Sequence, residues 1–285
     1  MRKPRICPAA CLLAGMSLLG QAPALEAVRQ SELAFARQAD QEGIHPAFRA
    51  WLLEDALVFT PRVTQAKAQY APTPGDPGHL VWYPEAMGLA SFGDLAWSFG
   101  PWTYAPAKGQ PVVAQGHFLS LWQRQTTGGW RVVADIGVPH GAPAQAIQPF
   151  AAVGGWDPKG AAPAAPDALR GLTRLEANLS KDWAVLGGAA LVNHLAPEAR
   201  LLRSGALPIQ DAGARRQTLE SEGHSPGWEP ARVQVSAGGD LGWSCGETRA
   251  DDQGRRSSFL RIWVAQAGGW KVLFDVRLPH PAPPR

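Results

Sequence analysis

Cysteine is almost missing from this chain. Cys7 and Cys11 lie at the extreme N-terminus, and Cys245 stands by itself in the remainder of the 285 residues. No disulfide framework can therefore hold the body together, and Cys245, in an apolar and tryptophan-rich run, reads as a small buried hydrophobe. The seven histidines show neither H-x-x-x-H nor facial-triad spacing, so a metal site has no support in the sequence. Neither a G-x-x-x-x-G-K phosphate loop nor a G-x-G-x-x-G fingerprint occurs, which removes the common nucleotide-binding classes. We expect no cofactor. An excess of one charge is also lacking. The net charge of +3 comes from Arg2, Lys3 and Arg5, no acid precedes Glu26, and residues 25–285 carry 24 basic and 24 acidic side chains. A neutral body argues against nucleic-acid binding driven by bulk charge. Charged residues make up only 18% of the chain against 45% hydrophobic ones, the balance of a core-forming globular protein.

Long apolar runs are confined to the N-terminus. A basic start (Met1 to Arg5), an apolar stretch from Ile6 to Leu19 and the small residues Ala22-Pro23-Ala24 have the organisation of a cleavable export signal over residues 1–24. The stretch is too short to cross a bilayer as a stable helix. The expectation is a chain exported to the periplasm or secreted, with no membrane contact after the signal is removed.

What the sequence does contain is itself, twice. Gly93-Asp94-Leu95-Ala96-Trp97-Ser98-Phe99-Gly100 returns as Gly239-Asp240-Leu241-Gly242-Trp243-Ser244-Cys245-Gly246. Gly128-Gly129-Trp130-Arg131-Val132 returns as Gly268-Gly269-Trp270-Lys271-Val272, and Asp135 to His140 returns as Asp275 to His280. Trp122 matches Trp263, and Trp82-Tyr83-Pro84 matches Trp228-Glu229-Pro230. A period of about 140 residues is too long for a solenoid unit. It divides the mature chain into a first domain (25–140), an Ala/Pro/Gly-rich linker (141–167) and a second domain (168–285). Trp156 is expected to dock from the linker onto one of them. Helical spacing of Val28, Phe35 and Ala39 predicts a helix over 26–42, with a shorter one after His45-Pro46. Strands are predicted over 82–91, 95–104, 112–123 and 130–138. In the second copy, helices fall near 168–186 and 188–195, with strands after Trp228. Helices followed by a run of antiparallel strands is the α+β pattern.

The ordered set Glu32 to Ala36, Gly43 to Phe48, Asp55 to Phe59, Gly93 to Trp97 and Trp130 to Asp135 resembles the nuclear-transport-factor-2-like domains. More specifically, it is similar to their SnoaL-like and ketosteroid-isomerase-like branch, which includes many exported domains of unknown function. The resemblance covers most of 26–140 and, more faintly, 168–281. It implies two tandem cone-shaped domains, each a curved antiparallel sheet wrapped around N-terminal helices and enclosing a cavity. It also implies wide functional divergence, since isomerases, hydrolases, ligand binders and scaffolds share that fold. Sheets of this fold often pair, and the two copies are expected to pair within the chain.

Candidate chemistry then lies in the polar residues of the presumed cavity. Glu32 falls in the apolar stripe of the first helix, as Glu176 does in the second copy; each is either an acid/base group or a hydrogen-bond partner for an indole, an arginine or the backbone. Strict alternation places Asp135 on one face with Arg131 and Val133 at the end of its strand, as a general base, a partner of Arg131 or a cap of the strand exit. His117, sharing a face with Leu119 and Leu121, is a proton shuttle or ligand contact if that face lines the cavity, and a core histidine otherwise. Trp97, Trp102 and Tyr104 are candidate ligand contacts. His140 and His280 are expected at the surface. Because His117, Trp102 and Tyr104 align with Ser258, Thr248 and Ala250, the site is sought in the first domain. The reading is a binder of a small, mostly apolar molecule. Proton-transfer catalysis of the isomerase or dehydratase kind in the same cavity is the alternative, with an interaction scaffold as the third.

Overall fold

The computed structural model describes residues 10–72, 77–141, 165–266 and 268–281. Trp156 and most of the expected linker lie outside them, as do residues 1–9 of the expected signal. In the first half, α1 (Ala10–Glu42) leads into α2 (Ile44–Trp51), β1 (Leu52–Phe59), β2 (Val63–Gln65) and α3 (Ala66–Gln69), then β3 (His79–Trp82), β4 (Ala86–Leu89), β5 (Leu95–Ala105), β6 (Ala114–Arg124) and β7 (Trp130–Pro139). The helix is longer than its amphipathic part, since its backbone continues N-terminally through Pro23. It stops at Gly43, whose φ of 95° suits a residue without Cβ and whose N–H closes the last turn on the Ala39 carbonyl at 3.0 Å. No helix among the described residues is long and apolar enough to cross a membrane.

The second half runs α4 (Ala165–Leu186), α5 (Ala189–Val192), β8 (Leu195–Arg203), α6 (Ala212–Ser221), β9 (Trp228–Val235), β10 (Leu241–Thr248), β11 (Ser257–Gln266) and β12 (Gly269–Pro279). Its sheet has the order β8-β12-β11-β10-β9, and the first follows the same succession as β2-β1-β7-β6-β5-β3, with β4 also on β5. The one parallel pairing is likewise in the same place, β1 with β7 and β8 with β12. Both sheets are curved and open, with helices against one face. This is the α+β class that the sequence indicates.

Two strand expectations are corrected. The single strand over 82–91 is interrupted at Tyr83-Pro84-Glu85, where proline has no N–H to give the ladder. The crossing is close: a Cβ on Gly100 would stand 1.9 Å from the Tyr83 carbonyl oxygen. In β7, Leu121 pairs with Ala134 and Trp122 with Val132, so Val133 is an extra, bulged residue. A bulge resets the alternation of faces. Asp135 therefore joins Trp130 and Val132 on the inner side, not Val133 and Arg131. It also lies mid-strand rather than at the strand exit. The second sheet has the same device at Leu273, between the Ile262–Phe274 and Trp263–Val272 pairs.

Each sheet buries its inner face on its own helices. Phe35, Phe48, Trp82 and Trp122 form that core in the first half, and Leu172, Trp183, Trp228 and Trp263 in the second. The outer faces bury each other, with Trp97, Phe99 and Leu121 of one half in the same apolar cluster as Trp243, Cys245 and Phe274 of the other. Burial there pushes the Cys245 thiol up to about 12. The contact is reciprocal at its rim. Asp94 accepts from the Ala237 N–H and Asp240 from the Ser91 N–H, each at 2.7 Å, the signature of an approximate two-fold axis. Asp240 is fully buried and also accepts from Ser236 at 2.6 Å. Asp240→Ala should cost about 2–3 kcal/mol of stability and Asp94→Ala about 1 kcal/mol. Urea unfolding of both variants measures this; equal, negligible losses would mean that these rim bonds do not hold the halves together.

Candidate functional site

One carboxylate lies at the centre of each half. Glu32 of α1 is fully buried because its neighbours on the stripe, Val28, Phe35 and Ala39, face the sheet. It accepts from the Trp82 indole N–H at 2.6 Å, from the Ser98 hydroxyl at 2.5 Å and from the Trp122 indole N–H at 3.0 Å. Glu176 of α4 accepts from the counterparts, Trp228 at 2.9 Å, the Ser244 hydroxyl and Trp263 at 3.1 Å. These donors tie the long helix to three strands of its sheet. Burial pushes Glu32 up to about 7; the Ser98 and Trp82 bonds oppose that rise, and the nearby Asp135 charge adds to it.

Asp135 opens onto a cavity of about 310 Å³. The remaining walls are apolar or aromatic: Phe35, Phe48, Leu80, Trp82, Trp102, Tyr104, Ala114 and Phe118. Trp102 lies flat over the sheet because Gly116 and Gly137 leave room; a Cβ at Gly116 would stand 2.7 Å from its ring. Asp135 accepts from the Ser120 hydroxyl at 2.5 Å, and burial pushes it up to about 6 against that bond. Neither Glu32 nor Asp135 has an ion-pair partner among the described residues. No group of three or more His, Cys, Asp or Glu side chains among those residues could hold a metal ion.

The structure thus brings Asp135, Trp102 and Tyr104 to one cavity and separates the other candidates from it. Glu32 stands behind the Trp82 wall, with no exposed surface, and acts as an anchor. His117 and Trp97 are on the opposite face of the sheet, because odd-numbered positions of β5 and β6 point to the second half. Trp97 meets Phe274 edge-on at 5.0 Å between ring centres. His117 stacks on Phe99 at 5.2 Å and shares a hydrogen bond of 2.9 Å with His140. Burial pushes it down to about 4, helped by the His140 and Arg200 charges, so it is a neutral core histidine at physiological pH. His140 and His280 are partly buried rather than at the surface, the latter bonded to Ser258 at 2.9 Å. Gly242-Trp243-Ser244-Cys245-Gly246 spells G-x-S-x-G. Ser244 lies mid-strand with its hydroxyl on Glu176, not on the exposed strand-to-helix elbow a nucleophile needs.

In the second half arginines occupy the space beside the carboxylate, and a polar cleft of about 340 Å³ lined by Arg203, Thr248, Ser257 and Arg277 remains at the mouth. Arg261 donates to Asp275 at 2.7 Å and to Glu176 at 2.9 Å, and its guanidinium lies 4.5 Å from the ring centres of both Trp228 and Phe259. Arg277 covers Trp183 at 3.8 Å, while Arg203 pairs with Asp275 at 2.6 Å and Glu222 at 2.5 Å. Burial by itself would raise Asp275, but Arg203, Arg261 and Arg277 more than offset it and hold the carboxyl far below its ordinary range. Ser120, Phe118 and Trp82 belong to the site in the first half without having stood out as site residues in the sequence. A column-by-column comparison of the two copies contains the signal, since Ser120 aligns with Arg261 and Gly137 with Arg277.

A helix-backed, curved sheet enclosing an apolar cavity defines this as a cone-shaped α+β protein. Neither a protein-family model nor a curated protein matches the sequence. Solved structures do. The chain is similar to a nuclear-transport-factor-2-like protein of unknown function from Silicibacter pomeroyi, with 19% identity over 40% of this chain and 98% of that one, at a TM-score of 0.32. It is also similar to a nuclear-transport-factor-2-like protein with a cystatin-like fold from Novosphingobium aromaticivorans, with 15% identity, 46% and 90% coverage and a TM-score of 0.35. A third, of unknown function from Pseudomonas putida, gives 16% identity, 40% and 88% coverage and a TM-score of 0.34.

Proposed function

We propose that this chain is an exported protein of two tandem nuclear-transport-factor-2-like domains, whose first domain binds a small, mostly apolar molecule and whose second is its structural partner. The N-terminal signal pattern supports export. The observation that carries the binding reading is the contrast between the halves: the first keeps an aromatic-walled cavity around its carboxylate, whereas in the second arginines occupy the space beside the carboxylate and leave only a polar, arginine-lined cleft at the mouth. A cavity of this size and lining suits a one- or two-ring ligand. The neutral probe N-phenyl-1-naphthylamine should brighten on entering it and raise the thermal unfolding midpoint. Ala114→Trp, which puts an indole into the cavity, should abolish both effects while the variant stays folded. No response to the probe, or an equal response in the variant, would sink the reading.

A second reading is proton transfer in the same cavity. It is favoured by the position of Asp135, a carboxylate facing an apolar space and raised to about 6, where a general base works near neutral pH. Asp135→Asn would abolish such turnover. Glu32 and His117 have no part in it, being outside the cavity.

A further inference from the structure

Strand register makes the two cavities comparable residue by residue. Ser98, Ser120 and Asp135 stand opposite one another across β5, β6 and β7. Ser244, Arg261 and Asp275 do so across β10, β11 and β12. Ser120 therefore occupies the place of Arg261. Four groups lie nearest the Arg261 guanidinium, the Glu176 and Asp275 carboxylates and the rings of Trp228 and Phe259, with the Trp183 ring farther off at 6.0 Å. All four have counterparts in the first half, namely Glu32, Asp135, Trp82 and Phe118. Three of those line the cavity, and Glu32 is bonded to the Trp82 indole directly behind it. Only the cation is missing, and no lining residue is basic.

We propose that the first-half cavity binds a small organic cation, an amine or guanidine on an aromatic or aliphatic body, with its charged group against Asp135, as the Arg261 guanidinium stands against Asp275 in the second half. The proposal rests on the reading of this cavity as a ligand site and names the class of ligand. A desolvated carboxylate gains most from a partner of opposite charge, and the faces of Trp82 and Phe118 attract a cation as Trp228 and Phe259 do. The body of the ligand lies against Phe35, Phe48, Leu80 and Tyr104. An anionic ligand would meet the Asp135 charge, and a bare metal ion would find one carboxylate among aromatic walls.

Calorimetric titration of the full chain with naphthylmethylamine and naphthylmethanol, which share ring and length, tests this. At neutral pH the amine should bind about tenfold more tightly or better. In Asp135→Asn, which retains an acceptor for Ser120, that preference should vanish while the alcohol binds as before. Phe118→Leu should weaken the amine several-fold more than the alcohol. Ser120→Arg, which rebuilds the arrangement of the second half, should exclude both. An alcohol that binds as tightly as the amine would overturn the cationic class and leave the cavity reading standing. If neither binds, the cavity reading falls and takes this inference with it.

Discussion

Arg261→Met should lose about 3–5 kcal/mol of stability, the largest effect expected from any single substitution in this chain. Methionine fills much of the space between Trp228 and Phe259, so the loss is chiefly electrostatic. Glu176 and Asp275 are both fully buried, and the substitution removes the one cation among the described residues that touches both. Asp275 keeps Arg203 at 2.6 Å, whereas Glu176 is left with two indoles and a hydroxyl. Arg261→Lys restores the charge without the two-pronged geometry and should recover part of the loss. Urea unfolding followed by circular dichroism reads both midpoints. A methionine variant as stable as the parent would mean that the cluster is held by packing and not by its ions.

Glu32 is the site of the second large effect, and its two substitutions should differ sharply. Glu32→Leu strands the donors of Trp82, Ser98 and Trp122 and should cost roughly 3 kcal/mol or more. Glu32→Gln keeps an acceptor and should stay within about 1 kcal/mol at neutral pH, since Glu32 itself is pushed up to about 7. The pH dependence carries a definite sign. Glu32 and Asp135 rise from ordinary values of 4.5 and 3.8 to about 7 and about 6, so the folded state binds protons more tightly than the unfolded one. Their contribution is most favourable below about pH 4 and is lost, on the order of a few kcal/mol, as pH rises to 7. Tyr70, packed beside Phe48, is itself raised by burial and by the Asp135 charge. Asp275 acts in the opposite sense, and the stability it adds is lost on acidification. Between pH 5 and 8 the Glu32→Gln variant should therefore lose less stability than the parent. Parallel curves would refute the raised value for Glu32.

Much of this was legible in the chain itself. The helical stripe through Glu32, the turn glycines, the α+β order and the matched tryptophans are local patterns, set by backbone sterics and by the spacing of apolar side chains. They were enough to indicate the fold class and to put Trp102, Tyr104 and Asp135 forward as candidates. Tertiary structure decided which face of each strand holds the cavity. His117 and Trp97 face the second half because the outer surface of this sheet is buried by a partner about 140 residues away, a fact with no local signature. The bulge at Val133 turns Asp135 inward, and a bulge is a property of pairing between two strands, not of one strand's alternation. The fate of the carboxylates was the least legible feature. Whether a buried Glu or Asp is neutralised depends on whether an arginine stands on the neighbouring strand in register, as Arg261 does beside Asp275 and Ser120 does not beside Asp135. Only the paired sheets bring those positions into contact, and the strength of a buried charge interaction is decided by that contact.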